Sequence, residues 1–156
     1  MQSEMPAVVN PVHGQSGMTR EEIVAFVDRR QKLYEQLDAA AMAGDYADDA
    51  VIQSPMAGVH HGREAETAFR HWFNAFRDMT QTLDAVIIDG DRVVEVRSLR
   101  GTHVGEFLGL APTHKAFHLS IVSLYELKDR KIAHERRIYD FTGRLIQIGV
   151  LKVNPV

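Results

Sequence analysis

Eight histidines, no cysteine and a few arginines set among apolar residues define the chemistry open to this chain of 156 residues. An imidazole titrates near neutral pH and is the natural general acid or base. His103 stands in Gly101-Thr-His-Val-Gly105, at the start of a long Gly/Pro loop. His118 follows Phe117 in an apolar run, where burial would disfavour the charged ring and leave a neutral base. Arg137 cannot shuttle protons near neutral pH, but its paired N–H donors can hold a carboxylate, a phenolate or a developing oxyanion. Tyr34 and Tyr139 can offer hydroxyls to a substrate oxygen, and Trp72 and Phe76 suit the walls of an apolar pocket. Each has a structural counterpart. His103 could clasp its loop, His118 could be a satisfied buried histidine, and Arg137 could close on Glu135 two residues earlier.

Other site classes are poorly matched. His114 and His118 are four apart but follow Pro112 into a strand, and the adjacent His60 and His61 diverge, so no metal centre is expected. Gly101-x-x-x-Gly105 opens no helix and is not a nucleotide loop. A net charge of -3 provides no basic field for a nucleic acid. Without cysteine there is neither disulfide nor thiolate, which suits a reducing cytoplasm. No apolar run reaches the length of a membrane span, and the first residues lack the order of a signal peptide, so a cytoplasmic protein is expected. With 45% apolar and 25% charged residues the chain reads as one globular domain.

The elements that must position these groups are helices first and strands second. Residues 1–18, with Pro6, Pro11, Gly14 and Gly17, read as a flexible arm, and 19–156 as the domain. Thr19 with Glu22 forms a capping-box pattern, after which Ile23, Phe26, Val27, Arg30, Leu33, Tyr34 and Leu37 recur on one helical face. Residues 39–43 continue as a small-residue helix up to Gly44. A turn over 53–58 precedes a helix over 64–79 whose apolar face carries Phe69, Trp72, Phe73 and Phe76. Beyond Thr82, the runs 86–88, 92–102, 117–127 and 132–141 read as strands. Helices segregated beside an antiparallel sheet define an α+β class.

The stretch from Gly101 through Glu-Phe-Leu-Gly-Leu-Ala-Pro-Thr to His114, the two strand-like runs after it, and Tyr139-Asp-Phe-Thr-Gly-Arg-Leu-Ile-Gln-Ile-Gly149 resemble the second half of SnoaL-like polyketide cyclases, in the nuclear transport factor 2-like superfamily. The likeness extends back to about Arg20. It implies a cone: N-terminal helices packed on a curved antiparallel sheet around a pocket. It also implies cofactor-independent proton transfer on a small aromatic or polyketide-like oxygenated compound, as an aldol-type cyclase or, in reverse, a retro-aldol lyase or dehydratase. The chain departs from the family pattern at three places. The proton-shuttling Asp is replaced by Arg137, the Trp-Asn of the first helix reads Tyr34-Glu35, and Ser54 stands before Pro55 where related isomerases set an Asp. The same fold also serves as a non-catalytic ligand-binding or dimerisation module, which is the alternative reading.

Asp129-Arg130 occupies the family's hairpin position, and a two-residue loop there fixes the register of the flanking strands. Leu127 then opposes Ile132, and counting outward places His118, Ser120, Glu135, Arg137 and Tyr139 on one face. The expected site is therefore His103, His118 and Arg137 as catalytic groups, with Tyr34, Trp72, Phe76, Ser120, Glu135 and Tyr139 around the substrate. Asp140 falls on the opposite face in a structural role. That face, with Leu119, Ile121, Tyr125 and Ile138, is apolar enough to suggest a homodimer.

Overall fold

The computed structural model describes residues 14–154. Most of the expected arm, residues 1–13, lies outside them. Helix α1 (Arg20–Glu35) starts at the foreseen cap, where Thr19 accepts from the Glu22 backbone and the Glu22 side chain accepts from the Thr19 backbone. Its inward face carries Ile23, Phe26, Val27, Arg30 and Tyr34. Helix α2 (Ala39–Ala43) follows a break at Leu37, whose φ is 52°. Strands β1 (Tyr46–Ser54) and β2 (Gly58–His61) form a hairpin over the foreseen turn. A short 3₁₀ turn (Gly62–Glu64) leads into α3 (Ala65–Ala75). Then come β3 (Thr80–Asp89), β4 (Arg92–Thr102), β5 (Ala116–Lys128), β6 (Lys131–Tyr139) and α4 (Phe141–Gln147).

The six strands form one curved sheet in the order β2-β1-β6-β5-β4-β3. It is mixed, not purely antiparallel as expected, because β1 runs parallel to β6 while every other pair is antiparallel. The last expected strand also ends early. Asp140 accepts a hydrogen bond from Gly143 N at 2.8 Å, capping α4 and turning the chain out of the sheet.

The β5–β6 hairpin turns at Asp129-Arg130 as foreseen, with φ of 49° and 62° at the two positions. These are the left-handed values of a two-residue turn whose twist matches that of the strands. Both turn N–H groups donate backward, to Gln15 O at 2.9 Å and Ser16 O at 2.7 Å, so the end of the expected arm is tied down here.

Leu127 opposes Ile132, again as foreseen, but the next pairs are Glu126 with His134, Tyr125 with Glu135 and Ser123 with Arg137. Ala133 is an extra residue, a β-bulge, and every pair beyond it is displaced by one. Since side chains alternate with period two, the expected face splits. Glu135, Arg137 and Tyr139 turn inward together with Ile121, Ser123 and Tyr125, whereas His118 and Ser120 are exposed on the outer face. Leu119 and Tyr125 are buried in the core, so the apolar face invoked for a dimer loses three of its four members and keeps Ile138, which is 52% exposed.

The register yields a direct test. Deleting Ala133 should close the bulge and leave Tyr125 opposite Glu135 and Ser123 opposite Arg137, so the thermal transition should stay cooperative, whereas deleting Arg136 beyond the bulge should turn Arg137 and Tyr139 out of the cavity and abolish it. Ala133→Gly keeps the residue count and should cost no more than about 1 kcal/mol.

Candidate active site

Between α1, α3 and the concave face of the sheet lies a cavity of about 70 Å³, lined by Tyr34, Gln81, Arg97, Ser123, Arg137 and Tyr139 on its polar side and by Phe69, Trp72, Leu99 and Ile121 on its apolar side. An outer groove of about 880 Å³ adjoins it, bounded by α3 and by residues 105–109 of the long loop. Met56, Ala57, His60, Ala68 and Trp72 line both spaces.

The floor of the cavity is charged. Strand alternation brings Glu95 and Arg97 of β4 to the same face as Glu135 and Arg137 of β6, and Arg30 enters from α1. Arg137 grips Glu135 through Nε at 2.8 Å and Nη2 at 3.0 Å, so that Nη1 takes part in neither bond. The Tyr46 hydroxyl donates to Glu135 at 2.5 Å and accepts from Arg30 and from Arg137, each at 3.3 Å. Arg30 also pairs with Asp45 at 2.8 Å. Arg97 pairs with Glu95 at 3.0 Å and donates to Gln31, while Tyr125 donates to Glu95 at 2.8 Å. Three buried guanidiniums and three carboxylates thus balance, and the half-exposed Arg29 also pairs with Asp45. Burial alone would raise the Glu135 carboxyl, but Arg137 outweighs it and holds the group below the ordinary carboxylate range. Burial pushes the Tyr46 and Tyr125 phenols up, keeping both protonated as donors.

His60 is the titratable imidazole at the cavity. Its place opposite Ile52, itself opposite Glu135, puts it on the concave face. Both ring nitrogens are buried and lack a hydrogen-bond partner among the described residues. Burial, then the nearby Arg137 charge, lower its pKa, and so favour the neutral ring. Its side chain was assigned no role from sequence. The legible signal was that His60 and His61 are adjacent on a strand, so that one of them must face inward.

The other expected residues fall into two groups. Arg137, Tyr34, Trp72 and Tyr139 line the cavity. The rest do not. His118 opposes Arg100 on the outer face, where its backbone is clasped by Gln147 at 2.7 and 3.0 Å; the bulge at Ala133 is the reason. Ser120 is exposed for the same reason. Phe76 is fully buried behind Trp72, with ring centroids 5.3 Å apart. Glu135 is reached only through Arg137.

His103 is fully buried, with Phe76 and Phe107 beside its ring. Its Nδ1 accepts from Thr113 N at 3.2 Å, which fixes the proton on Nε2, and its main chain bonds Lys115 O and His114 N across the loop. Burial lowers its pKa, with a backbone hydrogen bond at Gly105 opposing. This is the clasp of the loop. Nearby, the Gly105 and Val104 amides share Ala75 O, and a Cβ at Gly105 would lie 2.2 Å from Asn74 O, so only glycine lets the loop approach α3. Among the described residues no group of His, Asp and Glu side chains forms a metal-ligand set, and no helix is long and apolar enough to cross a membrane.

This cone, with helices closing a polar-floored cavity against a curved sheet, is an α+β architecture. The chain belongs to the SnoaL-like polyketide cyclase family, whose sequence profile matches residues 25–148. It is 41% identical over 51 residues to the aklanonic acid methyl ester cyclase AcmA of Streptomyces galilaeus, a match covering 33% of this chain and 35% of that protein. Among solved structures, AclR of Streptomyces galilaeus superposes with a TM-score of 0.76 at 20% identity, over 88% of this chain and 87% of that one. TsrD of Streptomyces laurentii gives 0.74 at 21% identity, over 86% and 99%. IdmH of Streptomyces antibioticus, described as a candidate polyketide cyclase, gives 0.64 at 27% identity, over 79% and 97%.

The charged floor makes a stability prediction. Glu135→Gln leaves Arg137 without its paired carboxylate and should cost about 3–5 kcal/mol at neutral pH. The folded-state pKa of Glu135 is depressed, so its contribution is complete above the unfolded carboxyl value of about 4.3 and is lost as pH falls through the lower folded value. Denaturant titrations of both proteins should therefore converge in acid.

Proposed function

We propose that the chain is a cofactor-independent cyclase acting on an oxygenated, polyketide-like ring compound, with His60 as the proton-transfer group and Arg137 as the oxyanion holder. The observation that carries this reading is the half-buried imidazole of His60 at the boundary between cavity and groove, its two ring nitrogens buried and unbonded. A neutral histidine there takes a proton from a methylene made acidic by flanking carbonyls. The resulting enolate carbon attacks a ketone of the same molecule, one C–C bond forms, and the alkoxide recovers the proton from the imidazolium. This is an isomerisation: atoms and electrons balance within substrate and imidazole.

Arg137 presents Nη1 toward developing negative charge while its other nitrogens stay on Glu135. The Tyr139 hydroxyl has its pKa raised by burial, opposed by Arg144 and Arg137, and supplies a further donor. The inner cavity is too small for fused rings. It takes the reacting end, while the groove holds the rest. The replacement of the family's shuttling Asp by Arg137 thus moves the base from β6 to β2, two places along the sheet. Retro-aldol cleavage uses the same groups in reverse. The unbonded His60 favours an enzyme over a non-catalytic module, and a homodimer and a cytoplasmic setting stay parts of this proposal.

The test is turnover of aklanonic acid methyl ester and of the corresponding free acid, followed by chromatography. His60→Gln should lower the rate by about 10²–10⁴. Because the neutral ring is the base and its pKa is lowered, wild-type kcat/KM should be flat above pH 7 and fall in acid through a midpoint below about 6.5. That limb should vanish in the variant, and His118→Ala should match wild type within about twofold, as surface substitutions usually do. An unchanged rate and pH profile in His60→Gln would remove this mechanism.

A further inference from the structure

Arg144 is fully buried on α4, and Nε, Nη1 and Nη2 all lack a hydrogen-bond partner among the described residues. No carboxylate pairs with it there either. Instead it sits in a box of rings. The Trp72 indole lies on its face, 3.5 Å from guanidinium carbon to ring centroid. Phe117, Phe76, Tyr139 and Phe107 follow at 5.0, 5.2, 5.6 and 5.8 Å. Ring faces attract a cation but offer its N–H groups only weak π contacts, so the burial of this charge is only partly compensated. Arg30, Arg97 and Arg137 each have a carboxylate; Arg144 has an aromatic lid.

The lid stands at the site. Trp72 lines both the inner cavity and the outer groove, so a ligand in either space touches it, and it is only partly buried. We propose that Arg144 is a concealed carboxylate-binding site, opened when the Trp72 indole swings off the guanidinium, and that the ring compound taken by this cavity is a free acid in preference to an ester. The inference rests on the cyclase reading for the location of the ligand, and adds its charge. The two oxygens of a carboxylate match the planar fork of donors that no protein group now uses. Burial pushes the guanidinium down to about 9, with Tyr139 opposing, which leaves it charged at neutral pH and in want of an anion.

Trp72 is the chain's single tryptophan, so its fluorescence reports the lid without interference. Calorimetric and fluorescence titrations of the wild-type protein with anthraquinone-2-carboxylate and with its methyl ester should show the acid binding at least about tenfold tighter, the value of a charge-assisted hydrogen bond. The Trp72 emission maximum should shift with the acid and not with the ester. Arg144→Met fills the box with an apolar chain. It should erase the acid preference, leave ester affinity unchanged, and keep or raise the melting temperature, because an uncompensated charge is removed. Should that variant fail to fold, Arg144→Lys serves instead, and the preference must drop because an ammonium lacks the fork. Equal binding of acid and ester by wild type, or an acid preference that survives either substitution, overturns the inference while leaving the cavity reading intact. Binding of neither compound removes both.

Discussion

Charge balance beneath the cavity is the constraint on which the rest of the structure depends. Three arginines and three acids are withdrawn from water at the heart of a small domain, and each would be costly alone. They are tolerable because two tyrosine hydroxyls join the pairs. Tyr46 bridges Arg30, Glu135 and Arg137, and Tyr125 completes Glu95. The network spans α1, β1, β4, β5 and β6, so it can close only when helix and sheet are in their final relation. The same atoms that make the floor polar therefore also fix the height of the helix above it, and with it the shape of the cavity.

Much of the fold was legible because it is written in local chemistry. The cap at Thr19, the two-residue turn at Asp129-Arg130 and the extent of β4 all follow from residue types over a few positions. The face assignment did not, and one residue explains why. Ala133 is small and apolar and carries no mark of a bulge, yet it displaces every pair beyond it. A register count is correct only up to the first irregularity, so the count succeeded at Leu127 and failed at His118. The parallel pairing of β1 with β6 was hidden for a related reason: it joins segments far apart in the chain, and no local pattern encodes it.

The site was legible where it depends on alternation within one strand. Glu135, Arg137 and Tyr139 share a face whatever strand they pair with, and they were found. Histidines were harder because type alone does not separate a ring that faces the cavity from one that holds a loop. His103 stands in the family-like loop and has the more conspicuous context, but its Nδ1 is spent on Thr113 and its ring is sealed among Phe76 and Phe107. His60 has no motif around it. What distinguishes it is that nothing bonds it, a property visible only in three dimensions.

The buried polar side chains of this molecule differ in how completely they are bonded. Arg30, Arg97 and Arg137 spend their donors on acids, and the structure would suffer if any of those acids were lost. His60 and Arg144 carry no such obligation. Each imposes a desolvation cost that folding alone gives no reason to accept; His60 lines the cavity, and Arg144 lies beneath the Trp72 ring. A sequence selected only for stability would fill these positions with apolar side chains, as it fills Phe69, Phe73 and Phe76 beside them. His60 lines the cavity together with Trp72, and Trp72 covers Arg144, so one indole adjoins both unpartnered groups.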